Sequence, residues 1–162
     1  MGMCLRTLFI VCLSASFLGS SGQTSVSFAI QAHQDDWQLF MSARVIADMQ
    51  AGAKMVFITL TAGDESCGAC SYGGGGPFFM GREKGSVYSA KFAADLTTGT
   101  APLDPPTATT VSINGHNITK YVYKNTVNYF LRLPDGNLNG AGFPNNNNQS
   151  LNKLRTGAIS SI

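Results

Sequence analysis

The segment Ser27-Phe28-Ala29-Ile30-Gln31-Ala32-His33-Gln34-Asp35-Asp36-Trp37 brings one imidazole and two carboxylates within four residues, directly after a mostly apolar run. These are the hard-to-borderline ligand types that suit Zn²⁺. At a strand-to-helix corner, His33 and Asp36 are spaced to point into one pocket. Asp35 beside them lies at the helix N-terminus, where the partial positive charge favours a carboxylate. A Zn²⁺ held by His33 and Asp36 needs one more protein ligand plus water. Asp35 is then placed to take the proton of that water as it attacks a carbonyl. The plain structural readings are a strand-end His33 bonded to a neighbouring carboxylate, and Asp35 or Asp36 as a helix N-cap. The chain holds two histidines, and the second, His116 in Ile113-Asn114-Gly115-His116-Asn117, reads as an exposed hairpin-turn residue.

The elements that must position these groups follow from periodicity. Val26 to Ala32, broken only by Ser27 and Gln31, reads as a strand largely buried on both faces, the central type of an α/β sheet. From Asp36 to Ala51 the period changes: Leu39, Phe40, Ala43, Ile46, Ala47 and Met49 recur at mostly three- and four-residue spacing, which predicts an amphipathic helix ended by Gly52. Met55 to Leu60 is a second apolar, β-branched run, so the opening is a βαβ unit with parallel pairing. Thr61-Ala62-Gly63-Asp64-Glu65 then leaves the same sheet edge as His33, where open α/β sheets bind ligands. Gly73 to Gly76 lacks phosphate-loop spacing and reads as a mobile flap or spacer. Pro77 to Leu96 reads as a helix, Val111 to Ile113 and Ile118 to Tyr123 as a hairpin around Asn114-Gly115, Val127 to Leu133 as a strand, and Leu151 to Arg155 as a short helix. This gives about three main strands, few for a doubly wound domain.

Composition bounds the setting. Met1 to Gly22 reads as a secretory signal peptide: one positive side chain, an apolar Leu8 to Leu18, and small residues Ser20-Ser21-Gly22 before Gln23. The alternative is a buried N-terminal strand. No later segment approaches a membrane-spanning length, so a secreted product beginning near Gln23 is expected, with one domain over residues 23–162. The net charge of +2, with no Lys/Arg cluster, excludes a nucleic-acid footprint. Only 12% of residues are charged, and the many Asn, Ser and Thr suit an extracellular protein. Cys67 and Cys70 allow a local loop disulfide, a redox pair, part of a zinc knuckle or free thiols. Asn117-Ile118-Thr119 and Asn148-Gln149-Ser150 are glycan acceptors in a eukaryotic secretory route. Tyr72, Phe78 and Phe79 could line a sugar cleft or simply pack.

Ala32-His33-Gln34-Asp35-Asp36 resembles the Ala-His-Pro-Asp-Asp signature of the LmbE-like/PIG-L family of zinc-dependent N-acetylglucosaminyl deacetylases. Leu60-Thr61-Ala62-Gly63-Asp64, Gly81-Arg82-Glu83 and Phe130-Leu131-Arg132-Leu133-Pro134-Asp135-Gly136 resemble later family stretches in the same order. The resemblance implies an α/β fold, a Rossmann-like three-layer sandwich with a mostly parallel sheet and no nucleotide, incomplete in this chain. It implies Zn²⁺ as cofactor, an N-acetylated amino-sugar substrate and hydrolysis of the acetamide. Carried over residue by residue, His33 and Asp36 are the zinc ligands, Asp35 is the general base, and Arg82 lies near the sugar.

Two departures accompany it. Gln34 stands where the motif has Pro, and nothing after Pro134-Asp135-Gly136 matches the family's His-containing segment with its third ligand. A non-catalytic secreted carbohydrate-binding relative, or an inactive gene fragment, is the competing expectation. With two protein ligands the chain is expected to hold zinc loosely, to be inactive or very weak as a deacetylase, and to be marginal as an independent fold.

Overall fold

The computed structural model describes residues 25–63 and 77–162. The expected signal peptide, Asp64, Cys67, Cys70, Tyr72 and the run Gly73 to Gly76 lie outside the described residues.

The described chain is α/β, with a five-stranded mixed sheet and few helices. Its strands are β1 (Val26–Gln31), β2 (Lys54–Thr61), β3 (Thr109–Ile113), β4 (His116–Tyr123) and β5 (Thr126–Leu133). Their spatial order is β1-β2-β5-β4-β3. β1, β2 and β5 are mutually parallel, while β4 and β3 extend the sheet antiparallel. The helices are α1 (Ser42–Gln50), α2 (Phe78–Thr98) and α3 (Leu151–Arg155). All five strand segments read from the sequence are present, and beside the three parallel strands the hairpin joins the same sheet through β5. Asn114 and Gly115 both have positive φ, 50° and 81°, the backbone that a two-residue hairpin turn with strand-matching twist requires.

The βαβ opening forms as the periodicity predicts. Gly52 at φ 85° closes α1: its N–H donates to the Met49 carbonyl and the Ala53 N–H donates to the Asp48 carbonyl. That pairing satisfies carbonyls the helix end would leave orphaned. The helix does not start as an α-helix, however. Trp37–Met41 is a π-turn, which places one extra residue in the turn. Leu39 and Phe40 therefore rotate off the core face and are exposed, while Trp37, Val45 and Met49 are buried.

β1 departs from the expected two-sided burial because α1 and α2 cover only one of its faces. Ala29 and Gln31 face the helices and are buried, whereas Val26, Phe28 and Ile30 on the opposite face are more than half exposed or close to it. Register carries both faces across the sheet, but on the second face Phe28 and Val122 are exposed while Val56 and Val127 on the inner strands are buried. Ala29, Phe57, Asn128 and Tyr121 align on the helix-covered face, and Phe28, Val56, Val127 and Val122 on the other. The core unites Trp37, Val45, Met49, Met55 and Phe57 with Ala90, Ala93 and Ala94. The small α2 side chains let that helix lie close to the sheet, and Trp37 packs on Phe57 at 4.9 Å between ring centroids.

The connection after α2 is pinned by a polar cluster. Tyr123 Oη donates to Asp95 Oδ1 at 2.7 Å and accepts from the Leu103 N–H at 2.8 Å. Lys91 and Lys124 both pair with Asp95, and Lys124 also donates to the Thr100 carbonyl. The Lys124 and Lys91 ammonium groups and the Tyr123 hydroxyl hold the Asp95 carboxyl well below the usual carboxylate range. A depressed folded pKa gives stability that is present above the unfolded value, near 3.8, and is lost as pH falls below it. Asp95→Asn should therefore flatten the acid limb of a Tm-versus-pH profile. A variant whose Tm falls as steeply as the wild type's on acidification would remove Asp95 from this role.

Candidate functional site

The carboxyl ends of β1, β2 and β5 are laced together, and the chemistry-bearing residues sit on that lacing. Thr61 donates to the Ala32 carbonyl through its backbone N–H at 3.0 Å and its hydroxyl at 2.8 Å. The Ala62 N–H donates to the Leu133 carbonyl at 2.9 Å. Gln34, 2% exposed, donates its amide to the Ala62 carbonyl at 2.7 Å. The residue that departs from the Ala-His-Pro-Asp-Asp pattern thus ties the first loop to the second, a link that proline could not make. Its Oε1 is buried without a partner among the described residues.

Gln31 fixes the corner from beneath. Its amide donates to Thr59 Oγ1 at 2.8 Å and its Oε1 accepts from the Trp37 N–H at 2.9 Å. A buried polar residue in β1 thereby satisfies one of the orphan donors of the helix start. Asp36 turns the other way from an N-cap: its Oδ2 accepts from the backbone N–H groups of Ala32 and His33 at 3.0 and 2.9 Å. That leaves Oδ1 facing His33 Nδ1 at 4.0 Å, beyond hydrogen-bond length.

His33 is held from its far side. Nε2 lies 2.9 Å from Asp135 Oδ2, so a residue delivered by β5 meets one delivered by β1. The plain reading of His33 as a strand-end histidine bonded to a carboxylate and the reading as a ligand meet in this geometry, since a metal-bound histidine commonly bonds a carboxylate through its other nitrogen. His33, Asp135, Asn137, Leu138 and Phe143 line a pocket of about 210 Å³. A larger groove of about 460 Å³ runs between α1 and α2, lined by Trp37, Ile46, Tyr88 and Phe92 among others, and carries none of the site's titratable groups.

Asp35 and Arg82 form the second arm. Arg82 Nη2 donates to Asp35 Oδ1 at 3.0 Å, and Nη1 donates to the Gly63 carbonyl at 3.0 Å. The Asp35 side chain is 56% exposed, a carboxylate presented to solvent with its orientation set by one guanidinium. Gly63 has φ 57°, and a Cβ there would collide with Arg82 and Gln34, so the residue type is demanded by both backbone and neighbours. Beneath Arg82 the next residue, Glu83, is 1% exposed and takes a bidentate pair from Arg132, Nε to Oε1 at 2.7 Å and Nη2 to Oε2 at 2.8 Å. The Glu83 carboxylate raises the Arg132 pKa above its ordinary value. Phe79 lies under Arg132, 5.2 Å from guanidinium carbon to ring centroid, so it packs on that pair rather than standing free in a cleft, while Phe78 is exposed.

The structure therefore gathers His33, Asp36, Asp35 and Arg82 at one sheet edge. His116 is on β4, exposed and paired in register with Ile113. Among the described residues no group of three His, Cys, Asp or Glu side chains is arranged to hold a metal ion. His33 Nδ1 and Asp36 Oδ1 are donor types that Zn²⁺ takes, and their 4.0 Å separation is wider than the roughly 3.3–3.6 Å edge of a tetrahedral site with bonds of about 2.0–2.2 Å, so a bound ion would have to draw them together. Sequence reasoning missed the roles of Asp135 and of the Glu83–Arg132 pair. Pro134-Asp135-Gly136 marked a turn, but no local pattern announces which strand end a turn residue will face. No model of a known family matches the chain, and no curated protein or solved structure does either.

Proposed function

We propose that this chain carries the fold and the principal site of a zinc-dependent deacetylase of the LmbE-like/PIG-L type, acting on an N-acetylated amino sugar in the secretory pathway or outside the cell. The observation that carries the reading is the convergence of His33 Nδ1 with Asp36 Oδ1, next to an exposed Asp35, at the carboxyl end of parallel strands. The Rossmann-like three-layer arrangement belongs to the same proposal. Val26, Phe28 and Ile30, exposed on the face away from α1 and α2, form the kind of surface a second helical layer covers.

His33 and Asp36 would hold the metal, with the rest of its shell left to water and to groups outside the described residues. When bound, Zn²⁺ lowers the pKa of its water and polarises the acetamide carbonyl. Asp35 accepts the proton of the attacking water and delivers it to the departing amine. Water thus adds to the carbonyl carbon, the C–N bond breaks, and acetate and a free amino sugar leave. Arg82 keeps the Asp35 carboxylate in one orientation from the α2 side. The pocket beside His33, with Phe143 and Leu138 as apolar walls and Asn137 as a polar group, has the mixed character a sugar ring needs.

Among the described residues no helix is long and apolar enough to cross a membrane. The test is acetate release by the zinc-loaded full chain from N-acetylglucosamine conjugates and from acetylated peptides. Slow release from the sugar conjugates is expected, since only His33 and Asp36 among the described residues would hold the metal. Release from peptides alone would contradict the sugar reading, and release from neither would favour the non-catalytic carbohydrate-binding alternative.

A further inference from the structure

We infer that Asp135 is a positioning residue that fixes the tautomer and ring orientation of His33, turning the Nδ1 lone pair toward Asp36 Oδ1. The inference starts from the donor and acceptor inventory. An ionised carboxylate only accepts hydrogen bonds, so the 2.9 Å contact between Asp135 Oδ2 and His33 Nε2 places the ring proton on Nε2. In the neutral imidazole Nδ1 is then an acceptor. Nδ1 faces Asp36 Oδ1 at 4.0 Å, and the other oxygen of Asp36 is engaged by two backbone N–H groups. Two lone-pair atoms held toward each other repel unless a cation or a donor serves both. With the proton on Nδ1 instead, the ring would present a donor to Asp36 and no ligand atom to a metal on that side.

The backbone supports the assignment independently of the side chains. Asp135 follows β5, while His33 follows β1, and β2 lies between them. The contact spans the end of β2, where the Ala62 N–H to Leu133 carbonyl and Thr61 to Ala32 bonds tie both flanking segments to that strand. Asp135 is 19% exposed at its side chain against 36% for His33, so the carboxylate is the more buried partner of the pair.

The metal half of the inference rests on the zinc reading above; the tautomer half does not. Two measurements on the full chain separate them. Long-range ¹H–¹⁵N NMR at mildly alkaline pH reads the ring nitrogens directly, and His116, exposed on β4, is the internal reference in a chain with two histidines. His33 is expected to show a protonated Nε2 and an unprotonated Nδ1 as its dominant form. Asp135→Ala should bring its shifts to the mixed pattern of His116. A wild-type His33 protonated on Nδ1 overturns the inference, and that spectrum decides the matter even if the variant does not fold. An unchanged His33 pattern in folded Asp135→Ala also overturns it. Titration with Zn²⁺ alone should show a 10–100-fold weaker affinity for Asp135→Ala than for wild type, the usual effect of removing such a partner. A wild-type chain that shows the Nε2 tautomer but binds no zinc would refute the deacetylase reading and keep Asp135 in its positioning role.

Discussion

Asp35→Asn is expected to lower deacetylation by about 10²–10⁴-fold, the range for losing a general base, while leaving bound zinc unchanged. His33→Ala and Asp36→Ala are expected to lose the metal itself. The split follows from where the three side chains point. Asp35 is exposed and hydrogen-bonded to Arg82, not to His33 or Asp36, so an isosteric amide there removes a proton acceptor without breaking a bond of either donor. Asp36 has two tasks. One oxygen holds the backbone of Ala32 and His33 in the corner and the other faces Nδ1, so its removal both deletes a ligand and loosens the loop that carries His33. Metal content of the purified variants, measured beside acetate release, separates proton transfer from Lewis-acid loss. Full turnover by Asp35→Asn would end its assignment as the base.

What could be read in advance divides along a physical line. Local sequence determines local geometry: the strand–helix–strand opening, the Gly52 stop and the Asn114-Gly115 turn are decided by residues within one or two turns of each other. The placement of His33 and Asp36 at one corner falls in the same class. Sheet order does not. Nothing within β5 states that it will lie beside β2, and so nothing announced that Asp135 would reach His33 across a hundred positions. Burial is likewise a tertiary property. Phe28 and Ile30 look like core residues because they are apolar, yet α1 and α2 cover only the other face of β1 and theirs is left exposed. The π-turn at Trp37 is an intermediate case. Gln31 supplies the acceptor for the Trp37 N–H, but only after Thr59 on the neighbouring strand has oriented its amide.

The second large effect is on stability. Arg132→Ala is expected to cost roughly 3–5 kcal/mol, the range for stripping a buried carboxylate of its ion-pair partner. Glu83 is 1% exposed, and both of its oxygens are taken by Arg132. An exposed arginine would be worth about 1 kcal/mol or less, so the two cases are well separated in a urea unfolding curve. The backbone at Arg132 sharpens the test. Between Thr59 and Thr61 on β2, β5 advances from Phe130 to Leu133, one residue more than its partner, and Arg132 has φ 56°. A bulge residue held in the left-handed region by a non-glycine side chain costs of order 1–3 kcal/mol, which the bidentate pair and the Phe79 ring offset. Arg132→Gly should therefore recover part of the loss seen with alanine, since it relieves the backbone while still abandoning Glu83. Glu83→Gln/Arg132→Gly should recover more, because no buried charge then remains unpaired. The same bulge launches Pro134-Asp135, so the variants that loosen it should also blur the His33 tautomer. An Arg132→Ala protein within 1 kcal/mol of wild type, with His33 unchanged, would show that solvent screens the pair and that β5 holds Asp135 in place without it.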